Sequence, residues 1–253
     1  MEILLDEGYQ FGLGVFTTVQ VEQGIPILLA EHLERLCGSL SALGLSGTVT
    51  EAEVKAFMKG KDAQHHGLKI MVSEKNKLMT LRENPYGAKE IEKGFRLALS
   101  RVYRNETSPL VSHKTFNYGD CILEKRRVRQ EGADEMVFTN SRGQLCEGTV
   151  SNVFFASGGK LYTPPVSCGL LPGVMRRFLM EHMEVTEQVL YMEDAAQREE
   201  CFVTNSLMGI MPVTAFGEKT YQPGRVTQKC REMYENWISF CRTEKAAGGL
   251  IEK

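Results

Sequence analysis

The chain has 253 residues, 42% hydrophobic and 25% charged, and 30 Lys and Arg against 32 Asp and Glu leave a net charge of −2. Those proportions exclude a disordered, collagenous or supercharged chain and leave no electrostatic footprint for nucleic acid or an anionic membrane. A chain this long buries roughly 70–75% of its unfolded surface, so one large domain or two small ones hold a core without staples. Cys37, Cys121, Cys146, Cys168, Cys201, Cys230 and Cys241 are odd in number and never at Cys-x-x-Cys spacing, which points away from a disulfide framework or a zinc ribbon. They read as small reduced core residues of a cytoplasmic protein. The acidic start lacks the apolar core of a secretory signal, and no apolar run reaches the ~18 residues of a membrane span.

In chain order, Val15–Val21 is a β-branched strand, Glu22-Gln-Gly24 a turn, and Ile25 to Leu29 a returning strand. Leu29, Leu33, Leu36, Leu40 and Leu43 recur every three or four residues, which predicts an amphipathic helix over Leu28–Leu45. Thr50 to Met58 predicts a second helix, with Thr50 and Glu53 as a capping box. Leu68–Ser73 and Lys77–Arg82 are paired strands across a Glu-Lys-Asn turn, and Phe95–Val102 is another strand. The Asn105–Pro109 stretch marks an interdomain linker. A helix over Tyr118–Gln130 precedes strands at Glu135–Thr139, Gln144–Ala156 and Lys160–Thr163. Then come a helix from Pro172 to about Met183, strands at Cys201–Thr204 and Met211–Val213, a closing helix over Thr227–Cys241, and a frayed tail, Ala246–Lys253.

Several signals fail on inspection. Gly12-Leu-Gly14 would need a third glycine where Thr17 stands and a helix where a strand follows, so it is no dinucleotide loop. There is no P-loop, and Gly44-Leu-Ser-Gly47 is one residue short of a nucleophile elbow. The adjacent His65-His66 lacks the spacing of a metal site, and no metal is expected. Lys125, Arg126, Arg127 and Arg129 are flanked by Glu124, Glu131 and Asp134, which reads as a solvated helix face rather than a basic patch.

Other residues carry chemistry. Arg35 puts a cation next to core-facing leucines, Lys114 stands in His-Lys-Thr-Phe-Asn117, and Glu147 is a carboxylate amid apolar strand residues that demands a partner. Leu171-Pro-Gly-Val-Met175 and Thr204-Asn-Ser-Leu-Met-Gly209 offer backbone N–H groups and a hydroxyl to an anion. One cation, one lysine, one buried acid and two anion nests suit a phosphorylated aldehyde, held by the lysine and with its ring nitrogen kept protonated by the acid. From residue types alone, a solvated lysine and an edge-strand charge remain the alternative.

The segments Asp6–Thr18, Glu31–Leu36, His113–Asn117, Glu147–Phe154 and Gly169–Arg176 resemble, in order and spacing, the fold-type IV pyridoxal-phosphate enzymes. That family includes branched-chain and D-amino-acid aminotransferases and 4-amino-4-deoxychorismate lyases, and the resemblance spans nearly the whole chain. It implies an α/β (α+β) fold with a small N-terminal α/β lobe at 1–103, a linker at 104–112 and a larger β-barrel-like lobe with helices at 113–253. It implies Lys114 as the Schiff-base lysine, Glu147 as partner of the pyridine nitrogen and Arg35 as phosphate ligand. Val174 and Met175 would offer backbone N–H groups to the phosphate, Ser206 a hydroxyl, Asn152 support on the cofactor side, and Tyr118 a contact with the ring hydroxyl. Thr18 would assist Lys114 in proton transfer, and Asn205, Leu207, Arg101 and Arg104 would meet the substrate. Phe16-Thr17-Thr18 and Asn205-Ser-Leu-Met-Gly209 are similar to the lyases, where branched-chain aminotransferases carry Phe-Glu-Thr and a Gly-Thr-Ala-type loop. The expected activity is a folate-pathway lyase acting on a small anionic amine, with an aminotransferase as the alternative and a catalytically dead cofactor-binding protein as a third reading. The resemblance also implies a homodimer.

Overall fold

The computed structural model describes residues 2–246; from 247 on, the tail expected to fray lies outside these residues. The chain forms two compact units, one drawn from Met1–Pro85, Lys114–Asn117 and Met233 onward, the other from Tyr86–His113 and Tyr118–Glu232. The architecture is the expected mixed α/β one, a four-stranded sheet and a closed six-stranded barrel. The expected boundary near residue 103 moves, because strand pairings distant in sequence decide which unit a segment joins.

In the first unit a short helix α1 (Glu7–Phe11) leads into β1 (Gly14–Glu22) and β2 (Ile25–Pro26). Helices α2 (Leu29–Ala42) and α3 (Glu51–Met58) follow, then β3 (His65–Ser73) and β4 (Lys77–Glu83). The strands form an antiparallel sheet in the order β2-β1-β3-β4. β1 and β3 pair without a slip from Gly14↔Ser73 to Glu22↔His65, so side chains alternate strictly between two faces. Val15, Val19 and Val21 join Leu68, Ile70 and Val72 in a core closed by Leu33, Leu36 and Leu40 of α2 and Val54 of α3. The capping box of α3 is present, Thr50 Oγ1 accepting from Glu53 N and Glu53 Oε2 accepting from Thr50 N. The expected strand to Leu29 stops at Pro26, because Leu28 adopts a left-handed backbone (φ 53°) and α2 begins one residue later. Asp6 ties the start of the chain to the β3–β4 turn, accepting from Ser73 Oγ at 2.6 Å, Lys75 N at 2.9 Å and Asn76 Nδ2 at 2.9 Å.

In the second unit α4 (Ala88–Lys93) precedes β5 (Phe95–Arg104), and α5 (Gly119–Arg127) leads to β6 (Glu135–Asn140), β7 (Leu145–Gly148), β8 (Asn152–Ser157) and β9 (Lys160–Thr163). Next come α6 (Val174–His182), β10 (Val185–Glu187), α7 (Met192–Gln197), β11 (Glu200–Asn205), β12 (Gly209–Phe216) and β13 (Lys219–Thr220). β5 runs parallel to both β6 and β12, and the pairing β7–β8 closes the ring β5-β6-β7-β8-β11-β12. Closure leaves those six strands without an open edge. One core gathers Phe95, Leu97, Val137, Leu145, Val153, Phe155, Val203, Met211 and Val213 from successive strands. The expected single strand over Gln144–Ala156 is two strands, broken where Gly148 N donates to Ser151 O at 2.7 Å. The buried carboxylate of Glu135 causes the break by capturing the hydroxyl and the N–H of Thr149. The helix face expected to be solvated is partly turned inward, with Lys125 paired to buried Glu135 and Arg127 to buried Glu124 and to Glu131.

The closing helix α8 (Arg225–Ala246) belongs from Met233 to the first unit. Tyr234 donates to Gln20 Oε1 at 2.6 Å, and Arg242 and His65 share Glu22 at 3.3 and 2.5 Å, so of the two adjacent histidines it is His65 that meets this carboxylate. All seven cysteines are free thiols. Among the described residues no helix is long and apolar enough to cross a membrane, and no cluster could hold a metal ion.

Candidate active site

Lys114 is carried into the first unit by a four-residue segment that adds to the edge of β1. Phe16 N donates to Lys114 O at 2.8 Å and Phe116 N to Gly14 O at 2.8 Å, with Val15 opposite Thr115. Gly14 is required there, since a Cβ on it would stand 2.4 Å from the Phe116 ring. The pairing sets Lys114 against Phe16, and Lys114 Nζ lies 4.8 Å from the ring centroid. Thr18, two residues on, shares that face, and its hydroxyl makes no hydrogen bond among the described residues. Lys69, directly across from Thr18 on β3, brings a second ammonium to 4.7 Å from the same ring. Burial, and then the charge of Arg82, lower the pKa of Lys69. Two cations over one ring on a half-buried sheet face make a place for an anion. Lys69 was not anticipated, although a lysine inside the apolar run Leu68–Val72 was the available signal.

Thr17 points to the opposite, core face. There it accepts from Arg35 Nη2 at 3.1 Å and lies 2.6 Å from His32 Nδ1. His32 is buried, and burial, then the charges of Arg35 and Lys114, hold its pKa well below the usual histidine value. Sequence reasoning gave His32 no role.

In the second unit Glu147 closes β7 and is 4% exposed. The partner it requires is Arg104, whose Nε donates to Oε1 at 3.1 Å and whose Nη2 reaches the same oxygen, while Leu171 N donates to Oε2 at 3.1 Å. Arg104, expected to meet substrate, pairs here with Glu147 and stacks on Phe138 at 5.1 Å. Arg101 is exposed and does not join this cluster. Tyr118 donates to Thr149 O at 3.0 Å, and burial, with Cys121 and Glu147 nearby, raises its pKa so that the phenol keeps its proton.

In the Leu171–Met175 segment the Leu171 N–H is spent on Glu147. No side chain caps α6, which starts at Val174, so the first N–H groups remain for an anion. Gly173 permits the tight approach, since a Cβ there would meet Asn152 Oδ1 at 2.1 Å. Asn152 supports the nest rather than a cofactor directly, donating through Nδ2 to Leu171 O at 2.9 Å. The second nest is narrower than expected. Asn205 Oδ1 accepts from Leu207 N and Met208 N, both at 2.9 Å, and Asn205 Nδ2 donates to Val150 O at 3.2 Å. Asn205 thus shapes the turn, and Leu207 is buried with its N–H bonded to Asn205. The partly exposed Ser206 hydroxyl has no hydrogen-bond partner among the described residues and remains for an anion.

The donor set suits pyridoxal 5′-phosphate. There is a lysine on a half-buried face, a carboxylate held by donors for a pyridinium, and an arginine, an uncapped helix start and a hydroxyl for a phosphate.

The family model described as Amino-transferase class IV matches residues 14–216. The chain is 27% identical to the aminodeoxychorismate lyase of Bacillus subtilis (strain 168), over 95% of this chain and 90% of the relative. It is 26% identical to the D-alanine aminotransferase of Bacillus licheniformis, over 92% and 90%. The crystal structure of 4-amino-4-deoxychorismate lyase from Pseudomonas aeruginosa superposes with a TM-score of 0.82 at 24% identity, covering 93% of this chain and 95% of that one, a likeness of fold. With that match over most of its length, the chain belongs to the class IV amino-transferase family, whose cofactor is pyridoxal 5′-phosphate.

Proposed function

We propose that the chain is a lyase that splits 4-amino-4-deoxychorismate into 4-aminobenzoate and pyruvate. The observation that carries this reading is the face of β1 on which the Thr18 hydroxyl joins Lys114, with Lys69 directly opposite Thr18. A substrate with two carboxylates suits a face where Lys69 and Arg82 stand near the cofactor lysine, Lys114. Resemblance to the lyases at Thr17-Thr18 supports the same choice.

Lys114 would hold the cofactor covalently. Arg35, the N–H groups of Val174 and Met175, and Ser206 would bind its phosphate, and Tyr118 its ring hydroxyl. Glu147, held by Arg104, would face its ring nitrogen. When bound, the cofactor supplies an electron sink for the carbon that bears the substrate nitrogen. The Lys114 amine takes the proton from that carbon. The bond from the neighbouring carbon to the enolpyruvyl oxygen then breaks, and the ring becomes aromatic. Thr18, with Lys114 supplying the proton, serves the departing enolpyruvate, which leaves as pyruvate.

The test is direct. Purified holoprotein given 4-amino-4-deoxychorismate, generated by a synthase from chorismate and glutamine, releases 4-aminobenzoate, followed by its fluorescence. Turnover of D-alanine with 2-oxoglutarate, without 4-aminobenzoate release, overturns the lyase reading in favour of amino transfer, the activity named for the Bacillus licheniformis relative.

A further inference from the structure

Thr18 has a role in the proposed reaction, and Thr17 does not. Thr17 is fully buried on the core face of β1, and its Oγ1 has two hydrogen-bond partners among the described residues, Arg35 Nη2 at 3.1 Å and His32 Nδ1 at 2.6 Å. A guanidinium only donates, so Arg35 occupies a lone pair of Oγ1. The single hydroxyl proton then has one acceptor left, His32 Nδ1. The proton inventory thus makes His32 a neutral imidazole protonated on Nε2. Its burial and the neighbouring charges of Arg35 and Lys114 oppose an imidazolium in the same way. Nε2 itself is buried with no hydrogen-bond partner among the described residues. An orphan donor is costly to keep, and packing alone would be served better by an apolar side chain of similar size.

We infer that Thr17 and His32 are positioning residues for Arg35. The one-way chain from Arg35 Nη2–H through Thr17 Oγ1–H to His32 Nδ1 aims the guanidinium without placing a negative charge beside it. Neither Thr17 nor His32 offsets the charge that Arg35 offers a phosphate dianion. A carboxylate at position 17 would aim the guanidinium equally well but neutralise it, and an imidazolium at His32 could not accept the Thr17 proton. The inference rests on the reading of Arg35 as the ligand of the cofactor phosphate.

Equilibrium dialysis of the full-length protein against pyridoxal 5′-phosphate and against pyridoxal, which lacks the phosphate, separates this role from general damage. Thr17→Val is expected to bind the phosphorylated form about tenfold more weakly, to bind pyridoxal as the parent does, and to regain the difference in Thr17→Ser. His32→Leu shifts the same ratio, and Thr17→Ala and His32→Gln report it if the first variants do not fold. An equal loss for both aldehydes, or no loss, overturns the inference. Arg35→Gln distinguishes the two levels: if it leaves the ratio unchanged, the phosphate reading of Arg35 fails. If it lowers the ratio while the Thr17 and His32 variants do not, the positioning inference alone fails.

Discussion

Arg104 and Glu147 offer the sharpest energetic test of the second unit. Their side chains are 18% and 6% exposed, and the carboxylate takes the guanidinium on one oxygen and Leu171 N on the other. Removing one partner of a buried ion pair costs about 3–5 kcal/mol, because the charge left behind has lost water and gained nothing. The partial exposure of Arg104 argues for the lower end, about 3 kcal/mol. For a chain of this size about 2–4 °C of melting temperature follows each kcal/mol, so Arg104→Met should melt roughly 6–12 °C lower. Met retains packing on Phe138 while removing the charge. Glu147→Gln should cost a similar amount by stranding the guanidinium, whereas the double variant, with no buried charge, should recover most of the loss. Burial works to lower the Arg104 pKa, and the Glu147 charge overrides it and raises it. A raised arginine contributes its stability below its unfolded pKa and loses it only in extreme alkali, so its contribution is the same at pH 6 and pH 8. Calorimetry of the four proteins at those two pH values provides the cycle. Single losses below about 1 kcal/mol that simply add would mean the pair behaves as a surface contact and would refute the argument.

Lys114→Ala should fold normally yet fail to develop the visible absorption of lysine-bound cofactor on addition of pyridoxal 5′-phosphate; a variant that still colours would remove Lys114 from its role. Gly173→Ala drives a Cβ toward Asn152 Oδ1 and should weaken cofactor binding, with a stability loss of about 1–3 kcal/mol from overpacking; unchanged dialysis and melting would show that the nest yields freely. The Ser73 hydroxyl, aided by the N–H groups of Lys75 and Tyr9 and by Asn76 against the effect of burial, lowers the Asp6 pKa from 3.8 to about 2. A depressed carboxylate stabilises above its unfolded pKa and loses that contribution as pH falls from about 4 to 2. The urea-midpoint gap between the parent and Asp6→Asn should therefore narrow over that window, and a constant gap would contradict the assignment.

What the sequence made legible was local. The leucine period of α2 and the Thr50–Glu53 capping box are written within one or two turns, and both are present in the structure. Glu147 could be recognised as a carboxylate in need of a partner, but not its partner, which lies 43 residues earlier on β5. For the same reason Arg104 read as a substrate residue. The placement of Lys114 on the edge of β1 depends on two backbone bonds spanning about a hundred residues, which no periodicity reports. The break after Gly148 was invisible because Thr149 and Val150 favour strands; a buried side chain, Glu135, overrides that propensity by binding Thr149. The turn-shaping role of Asn205 was not read from the sequence either, since a polar residue in a loop can serve a ligand or the backbone, and here its side chain bonds the backbone.

A net charge of −2 is no obstacle to anionic ligands, because attraction at a site depends on where cations stand and what compensates them. The two-residue period of β1 shows how one strand can divide that work. Thr18 faces the side where Lys114 and Lys69 approach the Phe16 ring, the side on which we propose that substrate binds. Thr17, one residue earlier, faces the core and holds Arg35 through a neutral bond. A one-residue slip of β1 against β3 would exchange the two faces of β1 and turn Phe16 and Thr18 into the core where Val15 and Val19 now pack. The unbroken register from Gly14 to Glu22 is thus a requirement of the chemistry as much as of the core. The apolar packing that fixes the register also fixes which threonine meets which cation.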